Sequence, residues 1–329
     1  PPDPGANATI GGMLANNASG IRTVKYGASK DNVVQMEVAT ANGRLIKVGS
    51  RSIKQSSGYD LLHLFVGSEG TLGVITEATL KLVPVPQLMR AVVAAFPSVA
   101  HAVEAVVAVR GSGLEPAALE FIDAETADLV SRNQEGVDFG KRPTLFMEFH
   151  AVHEATLQLG LEMVRDICTE LGATSVRATA NPTERKNLWR ARHHMFETLV
   201  RSYPGVSWML LDVSVPISAY TTLVPFVETL LLDSETNGHM VGHAGDGNLH
   251  ATLPFTDDAS YAKMKGLNAQ IVAKALSLGG TITGEHGVGS GKSGYMVQEH
   301  GDALGVMQNI KQTLDPNGIL NPGKVFPET

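Results

Sequence analysis

An α+β fold is predicted by three observations. Residues 1–86 are dense in glycine and hold a single hairpin pattern, whereas beyond residue 87 short strand-like runs alternate with longer stretches of helical apolar spacing. Neither region shows an internal repeat or a low-complexity tract. Hydrophobic residues make up 43% of the 329 positions and charged ones 18%, enough apolar material to fill a core.

The elements follow in order. Gly5, Gly11, Gly12, Gly20 and Gly27, with Asn7, Asn16 and Asn17 among them, mark residues 1–30 as loop-rich. VVQMEVAT and RLIKVG flank Asn42-Gly43, a pair that supplies positive φ cheaply, so residues 31–48 read as a hairpin. LLHLFVGSEGTLGVITEATLKLVP then gives an apolar run, a glycine-rich turn and a strand carrying Ile75, Ala78, Leu80 and Leu82. Pro84 and Pro86 punctuate that unit and place a domain boundary near Gln87, dividing the chain into residues 1–86 and 87–329. In the second part, strands are expected at 89–96, 117–123, 144–150 and 175–180. Helices are expected at 99–110, 154–171 and 183–202, the first capped by Ser98 and Gly111. Strands separated by helices of this length suggest a sheet with helices on one face.

Composition excludes several function classes. Lys plus Arg number 26 and Asp plus Glu 33, a net charge of −7, which argues against a nucleic-acid partner. The lone Cys168 rules out an internal disulfide framework and any multi-cysteine metal site, and its place on the apolar side of a helix suggests packing. No apolar run approaches the length of a membrane span. The chain opens PPDPGANATIGG, without methionine and already inside a glycine-rich motif, so a further N-terminal portion is expected to precede it.

Four constellations could carry chemistry. In GHAGDGNLHATLPF, His243 and His250 flank a tight Gly-Asp-Gly turn and can converge on one point. Read alone, the pair is outweighed by two ordinary strand histidines beside a structural turn. TGEHGVGSGKS changes the balance, since Glu285 would complete a two-histidine, one-carboxylate metal site. Adjacent residues on extended backbone point opposite ways, so His286 would face a substrate as general base. GVGSGKS is not a P-loop: counting back from Gly291-Lys292-Ser293, the required first glycine falls on His286.

Arg190 and Arg192 lie two apart on one predicted helix and so on different faces. One could clamp a carboxylate while the other meets solvent, and a solvated basic face fits as well. His193 and His194 stay unassigned. Finally, DPGANATIGGMLANNASG and GSEGTLGVIT let backbone amides approach a ligand closely, as phosphate-binding nests do.

Taken together, DPGANATIGGMLANNASG, YGASKDNV, GSEGTLGVITEATLKL, GHAGDGNLH, GEHGVGSGK and LDPNGILNPGK resemble, in order, the blocks of one family. It is the FAD-linked oxidases of the vanillyl-alcohol oxidase type with a lactate/glycolate-type C-terminal domain, and within it the cytochrome-linked D-lactate dehydrogenases are the most similar. Glycolate oxidase flavin subunits and D-2-hydroxyglutarate dehydrogenases are close relatives.

That resemblance implies the C-terminal half of a PCMH-type FAD-binding domain over residues 1–86. A ferredoxin-like antiparallel sheet with helices would form a substrate and metal domain over 87–329, with 315–329 returning to the flavin. FAD would be lined by Pro4, Gly5, Thr9, Gly11, Gly12, Asn16, Ser19, Gly20 and Tyr26, by Glu69, Gly70, Gly73, Val74 and Ile75, and by Asn321. His243, His250 and Glu285 match the ligands of a divalent metal, Zn2+ or Mn2+. His286 matches the catalytic base, and Arg192 the arginine that holds a substrate carboxylate.

The implied activity is oxidation of a D-2-hydroxy acid, D-lactate first, with electrons passed to cytochrome c, a quinone or an electron-transfer flavoprotein. Glycolate or D-2-hydroxyglutarate is the alternative substrate, and a non-catalytic subunit of an oxidase complex is the alternative class. A homodimer is compatible with either. Bacterial cytoplasm, its membrane periphery and the mitochondrion are all open as locations. The chain departs from the family in two ways. Members begin with a further half-domain that nothing here matches, so a separate N-terminal fragment is a candidate partner. Hydroxyglutarate-selective members have a lysine before the Asp-Val-Ser segment, where this chain has Leu210 and Leu211, which favours a small monocarboxylate.

Overall fold

A computed structural model describes residues 7–134 and 138–327. The chain divides into two compact units. One is built from the segments Pro1–Pro84 and Ile282–Thr329, the other from the continuous segment Val85–Thr281 between them. The first unit thus takes in far more of the C-terminal chain than residues 315–329.

The first unit holds helix α1 (Ile10–Ala15) and a three-stranded antiparallel sheet of β1 (Val33–Ala39), β2 (Leu45–Gly49) and β3 (Val74–Leu80), with β1 in the centre. Thr40 N donates to Arg44 O at 2.9 Å, so the β1–β2 hairpin closes on three residues and only Gly43, not Asn42, takes positive φ. Val33, Met36, Val38 and Val48 from the strands bury against Leu14 of α1 and Leu62, Phe65 and Leu72. Ile310 and Leu314, from the helix Ala303–Leu314, complete that core. Lys311 on the same helix ties into the unit through Thr71 O and Leu320 O, both at 2.8 Å.

The second unit is a seven-stranded, wholly antiparallel sheet. Its strands are β4 (Leu88–Ala95), β5 (Ala118–Ile122), β6 (Thr144–Ala151), β7 (Ser175–Ala178), β8 (Ser207–Ser214), β9 (His239–Gly242) and β10 (Asn248–Phe255), in the order β7-β4-β6-β5-β9-β10-β8. The four strands expected from sequence are all present. Register assigns each residue to a face, because cross-strand partners share one. Val92, Leu119, Phe121, Leu145, Met147, Leu211, Val213 and Leu253 form the apolar core of one face. Glu120, Glu148, His150, Asp212, Asn248 and His250 lie on the other.

Helices cover both faces, not one. Within α2 (Val99–Gly111) six residues are buried, and α3 (Ala124–Asn133) is capped by Asp123. Gly160 of α4 (Glu154–Glu170) faces Phe149 on the apolar side, and the thiol of Cys168 in that helix is buried and pushed up to about 12. The expected helix at 183–202 is two, α5 (Pro182–His193) and α6 (Met195–Ser202), broken at His194. α7 (Tyr220–Asp233) and α8 (Asp258–Ser277) finish the unit. Among the described residues no helix is long and apolar enough to cross a membrane.

The second helical layer has a physical cause. Asn181 caps α5 by accepting from Thr183 N and Glu184 N, both at 3.0 Å, and Pro182 sits in the first turn. Arg185, Trp189 and Arg192, at spacings of four and three, then share one helix face. Arg185 Nη1 donates to Glu148 Oε2 at 3.0 Å, Trp189 Nε1 donates to the same oxygen, and His150 Nε2 meets Glu148 Oε1 at 2.6 Å. A carboxylate buried on a sheet face requires such partners.

Glu148→Ala is therefore expected to lower unfolding free energy by about 3 kcal/mol, since it strands the partly buried Arg185 guanidinium and the buried Trp189 N–H. Glu148→Leu combined with Arg185→Met should recover most of that loss in urea midpoints. A cost below ~1 kcal/mol for the single change would show that the pair is only a surface-grade contact.

His239, buried at the start of β9 with Nδ1 3.1 Å from Thr126 Oγ1, has its pKa lowered from the ordinary 6.5 by burial. The unfolded chain binds that proton first, so its contribution is present above pH 6.5 and is lost as pH falls below it. Urea midpoints measured from about pH 7 down to about pH 5 should fall less steeply in His239→Gln. An identical slope would remove His239 from the account.

Candidate active site

The β9–β10 hairpin builds the histidine pair. β9 ends at Gly242, His243 follows, a single 3-10 turn spans Ala244–Asp246, and β10 begins at Asn248. Gly247 makes the reversal at φ 71, where a Cβ would overlap Val215 O. His250 is third in β10, opposite Val241. The two imidazoles end up perpendicular, at an interplanar angle of 89°, with centroids 5.2 Å apart.

A carboxylate stands behind each ring. Glu120 is fully buried on β5, and both its oxygens lie 2.9 Å from His243 Nδ1. Arg192 at the end of α5, also buried, donates to Glu120 Oε2 from Nε at 2.9 Å and Nη2 at 2.6 Å. Burial disfavours the Glu120 charge, but the facing His243 ring and the Arg192 guanidinium outweigh it and hold the carboxyl below its ordinary 4.5. Asp212, buried on β8 directly opposite His250, has Oδ1 3.6 Å from His250 Nδ1 and accepts from Asn248 Nδ2 at 2.7 Å. The Asn248 amide also reaches Val213 O at 3.0 Å, while its Oδ1 is buried with no hydrogen-bond partner among the described residues. Tyr220 OH donates to Asn248 O at 3.2 Å, and burial together with the Glu120 charge raises its phenol.

An imidazole oriented by a buried carboxylate, with a second imidazole beside it, is a donor arrangement that divalent metals of the zinc and manganese kind accept. The second unit thus brings together His243, His250 and Arg192 of the sequence-predicted set. It adds Glu120 and Asp212, which sequence reasoning missed. Each is the single charged residue of its strand, ALEFI and SWMLLDVS, and a lone charge in a largely apolar run is the signal that could have found them.

Glu285 and His286 belong to the first unit, on a loop held by residues expected at a cofactor. Asn16 Nδ2 donates to Glu285 O at 2.8 Å and Ser19 Oγ to Glu285 Oε2 at 3.2 Å. Glu69, at φ 52, accepts Val288 N and Gly289 N on its two oxygens at 2.7 and 2.8 Å. Asn321 Nδ2 donates to Glu69 O at 2.6 Å. Gly287, at φ 79, packs so close to Asn16 and Glu69 that a side chain there would overlap both. His286 is 45% exposed, its Nε2 3.7 Å from Glu285 Oε1.

The other expected cofactor residues are spread over the same unit. Thr9 caps α1 through Gly12 N at 3.1 Å, and Gly11 packs on Ile75 O. Gly20 N donates to Thr23 Oγ1, and Tyr26 O accepts from Asn32. Gly70 takes positive φ beside Asn321, Gly73 lies against Val38, and Val74 begins β3. Pro4 and Gly5 lie outside the described residues.

Comparison with known proteins places a family boundary where the second unit begins, although the matched C-terminal domain runs on into the C-terminal segment of the first unit. Residues 85–325 match the family described as FAD linked oxidases, C-terminal domain, and residues 1–49 match an FAD binding domain. A protein of Arabidopsis thaliana named D-lactate dehydrogenase [cytochrome], mitochondrial is 38% identical over 330 residues, covering 99% of this chain and 58% of that protein. Glycolate oxidase subunit GlcD of Bacillus subtilis is 37% identical over 333 residues, covering 99% of this chain and 70% of that subunit. In fold, a crystal structure of p-cresol methylhydroxylase with substrate bound superposes with a TM-score of 0.74 at 16% identity, over 98% of this chain and 70% of that one. The chain therefore spans under two thirds of the first of these relatives. A C-terminal domain matched over residues 85–325, following an FAD-binding segment, makes the chain a member of the FAD-linked oxidases.

Proposed function

We propose that this chain carries out the oxidation of a D-2-hydroxy acid on FAD, assisted by a divalent cation, with D-lactate as the first substrate. The observation that carries the reading is the His243–His250 pair with a buried carboxylate behind His243 and another beside His250. Relatives named for D-lactate and glycolate oxidation support the substrate class. Cytochrome c, a quinone or an electron-transfer flavoprotein would take the electrons onward.

FAD supplies the hydride acceptor when bound, and a divalent cation supplies Lewis-acid polarisation of the hydroxyl. The first unit suits FAD in that Gly11, Gly12 and Gly70 offer bare backbone near its surface, beside the polar side chains of Thr9, Asn16 and Ser19. His243 and His250 would ligate the cation with Glu285 as third ligand. Arg192, its guanidinium held in place by Glu120, would hold the substrate carboxylate and so orient the α-hydrogen. His286 would take the hydroxyl proton at a ring nitrogen, an exposed imidazole being suited to that task. Leu210 shares the polar sheet face with Asp212 and is 47% exposed. An apolar side chain there leaves a second carboxylate uncompensated, which favours a monocarboxylate.

Anaerobic titration of the FAD-loaded protein with D-lactate, followed at the oxidised-flavin band, tests the reading. Bleaching by D-lactate but not L-lactate, lost on chelation, is the expected result. Faster bleaching by glycolate or D-2-hydroxyglutarate would move the substrate assignment, and no bleaching by any of the three despite bound FAD would refute the reaction class. His286→Ala should bind FAD normally yet lose flavin reduction by about 100-fold or more, the scale of general-base catalysis. Retained turnover would take His286 out of the mechanism.

A further inference from the structure

Glu120 occupies a position that stability alone does not explain. It interrupts a strand whose other residues, Ala118, Leu119, Phe121 and Ile122, are all apolar and buried. An apolar residue there would avoid the desolvation cost of an ion, and buried ion pairs seldom repay that cost in full. Its carboxylate is instead the meeting point of three segments distant in sequence: β5 itself, the C-terminal turn of α5 through Arg192, and the turn after β9 through His243.

The geometry at each partner is specific. Two carboxylate oxygens lie 2.9 Å from His243 Nδ1, and an ionised carboxylate can only accept, so Nδ1 carries the proton. In the neutral ring the lone pair is then on Nε2. Arg192 approaches the same carboxylate with Nε and Nη2, two donors along one edge of the guanidinium, which fixes the orientation of its plane.

We propose that Glu120 is a positioning residue that serves both halves of the site: it selects Nε2 of His243 as the ligating nitrogen and, through the same carboxylate, holds Arg192 in the orientation that receives the substrate carboxylate. This rests on the reading that His243 ligates a divalent cation and Arg192 binds substrate. Because one carboxylate serves both, loss of its charge weakens cation and substrate binding together.

The test compares the wild-type chain, Glu120→Gln and His243→Ala, each stripped of metal, titrated with Co2+ and followed by its visible absorption. Side-chain 15N shifts of His243 in the metal-free protein report its tautomer independently of activity. The expected result is a Co2+ affinity about 10–100-fold weaker in Glu120→Gln. His243 should carry its proton on Nδ1 in the wild type and lose that preference in the variant. The KM for D-lactate should rise more than kcat falls. Glu120→Gln with wild-type Co2+ affinity and an Nδ1–H tautomer, changed only in melting temperature, would overturn the proposal, since that is what a merely structural carboxylate gives. A His243→Ala chain that binds Co2+ as tightly as wild type would instead overturn the cation reading beneath it. Should Glu120→Gln fail to fold, Glu120→Asp keeps the charge and retracts it. Intermediate Co2+ affinity supports the positioning role, and wild-type affinity refutes it.

Discussion

Two carboxylates buried on one face of an antiparallel sheet govern the architecture of the second unit. Glu120 and Glu148 sit on adjacent strands, β5 and β6, and neither reaches water. An ion in that setting is tolerated only with donors brought to it. The donors come from one stripe of α5, where Arg185 and Trp189 serve Glu148 and Arg192 serves Glu120. The helix is thus fixed in azimuth and in position along its axis by three directional contacts. Greasy packing, which holds α4 and α7 to the opposite face, would leave it freer to slide or rotate. The consequence reaches the histidines, because the carboxylate that secures the end of α5 also orients the ring of His243.

Much of this was legible in the sequence. The strands of the second unit were readable because each is short, apolar and bounded by turn residues, and the β1–β2 hairpin because Asn42-Gly43 marks it. What local pattern could not supply was anything decided across long sequence separations. The break at His194 leaves no proline or glycine to announce it, so 183–202 reads as one helix. Glu120 and Asp212 fell inside runs that periodicity reads only as strand, and their partners lie up to 123 residues away. Helices on both faces followed from Glu120 and Glu148, the two buried acids that α5 serves, and were invisible without them.

The first unit shows how a residue can be singled out for one reason and hold its place for a second. Asn16, Ser19, Glu69 and Asn321 were expected at a cofactor from resemblance. In the structure they brace the loop of Glu285, His286 and Gly287 through a set of hydrogen bonds to backbone and side chain. Such bracing lets a glycine-rich loop present an acid and an imidazole in defined positions despite its intrinsic freedom. Glu69 accepts two successive amides, an arrangement that no substitution by a neutral residue of similar length would reproduce on both oxygens.

The second unit is continuous in sequence, whereas the first is assembled from segments on either side of it. That arrangement imposes an order on folding as the chain leaves the ribosome. The sheet of Val85–Thr281 has all its strands available before the helix Ala303–Leu314 has been synthesised. Leu14, Met36 and Phe65 meanwhile wait for Ile310 and Leu314 to close their core. That core therefore stays incomplete until late in translation, and the closing step joins segments 240 residues apart at Thr71 and Lys311, a slow class of contact. A chain released before residue 303 would keep every strand of the inserted sheet and lack the helix that closes the core of the first unit.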